Sequence, residues 1–152
     1  VSSGPSIRLA APDDWADWRL LRQRSLAEDP DAFSSSTLMW TGDNDTEERW
    51  RARLADGPCF VAYDDNRPVG MVAGRLVEGA AELISMWVAP EARRRGVGRE
   101  LIERIVAWSD ARPLSLRVMD GNQAAVTVYE RQGFVLQDGT DAEGCRRMLH
   151  TP

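Results

Sequence analysis

The chain has no lysine: all 19 of its basic side chains are arginine. It carries no side-chain amine of its own to acylate, and a GC-rich genome would produce the same bias. Histidine is almost missing as well. His150 is the sole example and lies at the chain end, where it reads as a frayed residue and not as a catalytic base. The two cysteines, Cys59 and Cys145, stand far apart and match no metal-ligand spacing, so no metal is expected. Both sit in apolar, strand-like surroundings, where a free thiol behaves as a small hydrophobe; a disulfide and a reactive thiol are the alternatives. No apolar run approaches the roughly 18 residues of a membrane span. Residues 1–5 offer no apolar signal core and read as a frayed terminus, so a cytoplasmic protein is expected. There is no basic surplus either. A net charge of −5 and a pI near 4.9 argue against a nucleic-acid partner and weakly favour a cationic acceptor such as an amine.

What is present fits one α/β domain over residues 1–152, without repeat, linker or low-complexity tract. A short alternating strand at Ile7–Ala10 precedes Pro12-Asp13-Asp14, a helix start. Trp15, Trp18, Leu21 and Leu26 then follow at helical spacing towards Asp29-Pro30. After a loop bearing Phe33, Met39 and Trp40, Asp45 with Glu48 offers a capping box for a short helix. Cys59–Tyr63 and Pro68–Ala73 read as a hairpin turning at residues 64–67. The nearly continuous apolar run Ala81–Val88 reads as a central strand. A helix over Val97–Ser109, a strand over Leu114–Val118, a helix from Asn122 to Gln132 with Gly133 at its αL cap, and two closing strands at 134–137 and 146–150 complete the order.

One junction contradicts ordinary helix chemistry. Arg93, Arg94, Arg95 and Arg99 crowd the start of the helix at Val97, although a helix N-terminus carries about half a positive charge and favours acids. Gly96 and Gly98 keep the same turn open to the backbone N–H donors. An anion seated there reconciles both features, its phosphate oxygens shared by amides and arginines. The bland alternative is a solvated basic patch on a glycine-rich turn. A Walker loop and the dinucleotide fingerprint are both excluded by the missing Lys-Ser/Thr and third glycine.

Here the chain resembles the Gcn5-related N-acetyltransferases. Arg93-Arg94-Arg95-Gly96-Val97-Gly98 matches that family's Arg/Gln-x-x-Gly-x-Gly/Ala loop, and Asn122, Ala125, Tyr129 and Gly133-Phe134 match its last-helix signature. The element order and Asp29-Pro30-Asp31-Ala32-Phe33 agree as well. The resemblance implies a mixed, mostly antiparallel sheet of about seven strands flanked by about four helices. It implies that acetyl-CoA is the co-substrate, its pyrophosphate on the amides and side chains of Arg93 to Arg99, including Val97. Its pantetheine would lie along Met86, Trp87 and Val88, near Asn122, Ala125 and Tyr129. The implied activity is acetyl transfer to a primary amine by direct attack in a ternary complex.

Such a transfer needs an oxyanion donor, a proton donor for the departing sulfur and a base for the amine. The Val88 amide is the first candidate. Tyr129, a phenol with an ordinary pKa near 10, is the second; by chemistry alone it could equally be a core tyrosine. Glu82 is the chosen base, with Glu78 and Ser85 as alternatives and a plain surface glutamate as the competing reading. Phe33, Trp40 and Ser85 are candidates for the acceptor pocket, against simple core aromatics for the first two. A CoA-binding sensor that no longer catalyses is the other functional class that fits. The acceptor is a small-molecule or peptide amine whose identity stays open, as does the oligomeric state, with a homodimer among the options because dimers are common in the family.

Overall fold

The computed structural model describes residues 5–28 and 41–150. In chain order the elements are β1 (Ser6–Leu9), α1 (Trp15–Glu28), α2 (Glu47–Ala55), β2 (Cys59–Asp64), β3 (Arg67–Val77), β4 (Ala80–Val88), α3 (Val97–Ser109), β5 (Leu114–Met119), α4 (Gln123–Arg131), β6 (Phe134–Leu136) and β7 (Cys145–His150). The strands form one sheet in the order β1-β2-β3-β4-β5-β7-β6. Every neighbouring pair is antiparallel except β4 and β5, which run parallel. No described helix is long and apolar enough to cross a membrane.

Glycine decides how closely α3 approaches the sheet. A Cβ on Gly70 of β3 would stand 3.2 Å from both Val97 and Leu101 of α3, and one on Gly74 would stand 2.5 Å from the Trp108 ring. Gly70 and Gly74 therefore face α3. Successive strand residues alternate faces, so Met71 and its rung partner Trp87 look the other way, where the Arg24 guanidinium of α1 lies 5.4 Å from the Trp87 ring centroid. Helices α1 and α3 thus cover opposite faces. Trp18, Trp50, Leu101, Ile102, Ile105 and Met148 fill the core between these layers.

Two local expectations change. Thr46, and not Asp45, caps α2, its hydroxyl accepting from the Arg49 N–H at 3.3 Å. Asp45 accepts instead from Arg19 Nε and Nη2 at 2.8 and 2.6 Å, Gln23 Nε2 at 3.0 Å and Trp50 Nε1 at 2.7 Å, which ties α1 to α2. Those donors hold its carboxyl well below the usual aspartate range. His150 is not frayed. It pairs with Leu114 and Phe134 in the sheet and its ring centroid lies 5.2 Å from that of Phe134. Cys59 and Cys145 are both free and buried, and burial pushes the Cys59 thiol up to about 11.

Gly74→Ala should cost about 1–3 kcal/mol, because the rigid Trp108 ring has to leave the sheet to admit the methyl group. Urea unfolding followed by tryptophan fluorescence measures this, and an unchanged midpoint would contradict the packing described.

Candidate active site

The two halves of the sheet separate along β4, the strand that carries Glu82, Ser85, Met86, Trp87 and Val88. Strands β4 and β5 pair only at Ala81–Leu114 and Glu82–Ser115, although β4 runs on to Val88 and β5 to Met119. A bulge lies in the unpaired part of β4. Met71 pairs with Trp87 and Ala73 with Ile84, so Ser85 and Met86 together oppose Val72. Ser85 absorbs the extra residue with φ +57°, in the left-handed region that non-glycine residues seldom enter.

The ladder then fixes where Val88 points. The Ala89 N–H donates to the Val69 carbonyl at 2.8 Å. Bonded and non-bonded rungs alternate in an antiparallel pair, so the adjoining Val88–Gly70 rung is non-bonded. The Val88 N–H and C=O therefore turn away from β3 and into the gap. Nε of Arg93 reaches back and donates to the Val88 carbonyl at 2.9 Å.

Below the gap, α3 begins without a side-chain cap. Its N-cap is Gly96, at φ +81°, a conformation that spares any side chain and leaves the amides bare. Among the described residues, the N–H groups of residues 94 to 99 donate to no backbone or side-chain acceptor outside the helix. A Cβ on Gly98 would meet Met86 Cε at 3.3 Å and Val88 Cγ2 at 3.7 Å, so this glycine also keeps clear the space beside β4. The four arginines do not all point the same way. Arg95 pairs with Asp64 at 2.7 Å, Arg99 lies 3.7 Å from Glu103, and Arg93 serves Val88. Arg94 is exposed, at φ +64°, with no ion pair among the described residues.

Helix α4 carries the remaining candidate residues. Asn122 caps it by accepting from the Ala125 N–H at 3.3 Å. Tyr129 is half-buried, edge-on to Phe134 with ring centroids 5.8 Å apart. Burial pushes its phenol well above 10, so it stays protonated throughout the neutral range. Glu82 stands on the last paired rung between β4 and β5, and its carboxylate accepts from Arg75 Nε at 2.7 Å. Glu78 is exposed in the β3–β4 turn. Phe33 and Trp40 lie outside the described residues.

Four contributors to this site are not visible as motifs. Arg24 grips Glu91 through two bonds of 2.7 Å and bonds Glu28, which fixes the turn at Pro90–Ala92 between β4 and the glycine loop. Asp64 holds Arg95, and Arg75 holds Glu82. Arg24–Glu28 has helical spacing and Arg75–Glu82 share a rung of the β3–β4 hairpin; the Arg24–Glu91 and Asp64–Arg95 partners come from distant parts of the chain, and no local signal finds them.

These donors fit the phosphates and amides of a CoA ester: a bare helix start for the pyrophosphate and an outward-facing strand edge for the pantetheine. One consequence concerns pH. Arg24 depresses the Glu91 carboxyl from its ordinary 4.5 to about 2. Stability from a depressed acid is complete above its unfolded value and vanishes as pH falls through its folded one. Glu91→Gln should therefore lower Tm at pH 7 by about 1–3 °C, a small value because the pair is largely exposed. In melts between pH 4.5 and 2 the gap to wild type should close, and a gap that persisted at pH 2 would contradict this.

Comparison with known proteins agrees with this layout. The family model described as "Acetyltransferase (GNAT) family" matches residues 16–134. The peptidyl-lysine N-acetyltransferase YiaC of Escherichia coli is 36% identical over 88 residues, 57% of this chain and 56% of that protein. The mycothiol acetyltransferase of Geodermatophilus obscurus is 28% identical over 129 residues, 77% of this chain and 40% of its own length. The chain thus spans about half the length of such relatives. A PaiA N-acetyltransferase from Thermoplasma acidophilum, solved with coenzyme A, superposes with a TM-score of 0.78 at 19% identity over 99% of this chain and 100% of that one. A GNAT acetyltransferase from Streptococcus pneumoniae gives 0.76 at 25% identity, covering 97% and 98%. With its family model spanning most of the described sheet, both glycine-loop and last-helix motifs in place and β4 splayed from β5, this chain belongs to the GNAT acetyltransferase family.

Proposed function

We propose that the protein transfers the acetyl group of acetyl-CoA to a primary amine by direct attack within a ternary complex. The observation that carries this reading is the pairing of β4 and β5 at two rungs only, which leaves the Val88 main chain facing a gap floored by the uncapped start of α3. Acetyl-CoA supplies an activated thioester. The chain supplies everything else. Amides of residues 94 to 98, with Arg94, bind the pyrophosphate. Met86, Trp87 and Val88 hold the pantetheine on the strand edge, with Asn122 and Ala125 opposite.

The Val88 N–H donates to the carbonyl oxygen as negative charge develops there, and Arg93 fixes the adjoining carbonyl so that this strand end does not swing. Glu82 takes the amine proton through a water. Its carboxylate is already bound by Arg75, which keeps it in place on the face of the sheet covered by α1. As the new C–N bond forms and the C–S bond breaks, Tyr129 donates to the sulfur. Its raised pKa keeps that proton available at any neutral pH. No buried thiol takes part, since Cys59 and Cys145 are neither exposed nor activated. Relatives that act on amines support an amine acceptor. Ser85, at the strained bulge, lines the acceptor side.

Calorimetric titration of the protein with acetyl-CoA tests the cradle. Gly96→Asp should weaken binding at least about tenfold by placing a carboxylate where the anion sits, a cost of about 1.4 kcal/mol or more. Aspartate tolerates the left-handed backbone, so the fold should survive. Arg94→Ala should weaken binding less. Tyr129→Phe should keep the affinity and lose about 10²–10⁴ in kcat. A folded protein that does not bind acetyl-CoA would overturn the proposal, and a Tyr129→Phe variant with nothing to lose would point to a binding module.

A further inference from the structure

Register carries one line of side chains across the middle of the sheet. Arg75 of β3 pairs with Glu82 of β4, Glu82 with Ser115 of β5, and Ser115 with Leu149 of β7. Partners on a rung project from the same face, so all four stand on the face against which α1 packs. Glu82–Ser115 is also the last rung before β4 and β5 part. The pair therefore marks the closed end of the gap.

The Glu82 carboxylate is occupied on one side only. Nε and Nη2 of Arg75 both reach Oε1 from the β3 side, and among the described residues nothing donates to Oε2. Ser115 stands on the β5 side and is 6% exposed. Its hydroxyl has no hydrogen-bond partner among the described residues either. The two backbones are neighbours about 5 Å apart, yet no direct bond joins the two side chains. A buried hydroxyl and a carboxylate oxygen that share a rung without bonding are costly to leave so, and a bridging water satisfies both. Arg75 closes one end of the line and apolar Leu149 the other, which puts that water between Glu82 and Ser115.

We propose that Ser115 is a positioning residue for removal of the amine proton: its hydroxyl and Oε2 of Glu82 hold between them the relaying water. The inference rests on the acetyltransferase reading and on Glu82 as its base. The water gives one hydrogen bond to Oε2 and the other to Ser115 Oγ, which turns a lone pair towards the incoming ammonium. The ammonium then passes a proton to the water as the water passes one of its own to Oε2. The amine is left with its lone pair, the water is restored, the carboxylate becomes a carboxylic acid, and Ser115 keeps its proton.

A crystal structure of the full chain with CoA, at a resolution that shows ordered water, tests the site without turnover. Wild type should hold one water about 2.7–3.2 Å from both Ser115 Oγ and Glu82 Oε2, and Ser115→Ala should lose it. A direct bond between the two side chains, or no shared water, would overturn the proposal. Kinetics use acetyl-CoA with benzylamine, spermidine and an N-terminally blocked lysyl peptide as probes. On a probe that wild type acetylates, Ser115→Ala should lower kcat about 10–100-fold with Tm and the KM for acetyl-CoA unchanged, and Ser115→Thr should restore most of it. Glu82→Gln should lose more, and adding Ser115→Ala to it should change nothing further, because no relay remains to be positioned. A Ser115→Ala variant at full rate, or a double variant in which the two losses multiply, would overturn the proposal. Failure to bind CoA would instead take down the acetyltransferase reading, and Glu82→Gln at full rate the choice of base. Neither resembles a failure at Ser115, which leaves Glu82→Gln slow and Ser115→Ala fast.

Discussion

The arrangement of the whole site follows from one interrupted ladder. Among the described strands, β4 and β5 are the only parallel neighbours, and they hold together for two rungs before parting. Because they part, a main-chain edge in the middle of the sheet is left facing outwards, in a position where edges are normally covered. The bulge at Ser85 and Met86 belongs to the same event. It shifts the register of β4 against β3 by one residue and so decides that Val88, and not its neighbour, turns to the gap. Everything around the gap keeps it open: α3 packs tightly on one side through Gly70 and Gly74, and α1 grips the far end of β4 through Arg24, Trp87 and Glu91.

Electrostatics at the start of α3 complete this frame. Positive side chains at a positive helix end are unfavourable by themselves. The protein limits the cost by giving three of the four arginines other employment, Arg95 with Asp64, Arg99 with Glu103 and Arg93 with the Val88 carbonyl. What faces the open turn is mainly backbone N–H. The cradle is thus more a product of peptide geometry than of side-chain charge, in line with a glycine at its N-cap.

Much of this was legible in the residues. The bounds of α3, the central position of β4, the N-cap at Asn122 and the left-handed Gly133 all follow from local rules: periodicity, apolar run, capping and αL preference. The glycine loop announced itself through a local contradiction, arginines where acids belong. What stayed hidden depends on contacts between distant segments. Nothing near Asp45 shows that it will bind Arg19 and Trp50 instead of capping α2, and nothing near Arg95 shows that it will meet Asp64. The parting of β4 and β5 is hidden for a related reason: strand propensity is a property of one segment, and pairing is a property of two.

The buried cysteines have a practical bearing on any assay. Acyl transfer from a thioester liberates a thiol, which a disulfide reagent can count. Here Cys59 is sealed in the core with its thiol pushed up to about 11, and Cys145 is buried beside Met119. Thiolate is the species that reacts, so the native protein should contribute a low, slow background, and the colour that develops reports the coenzyme. The same two residues then become an internal alarm: a variant whose background rises before substrate is added has loosened its core, and its kinetics should be read accordingly.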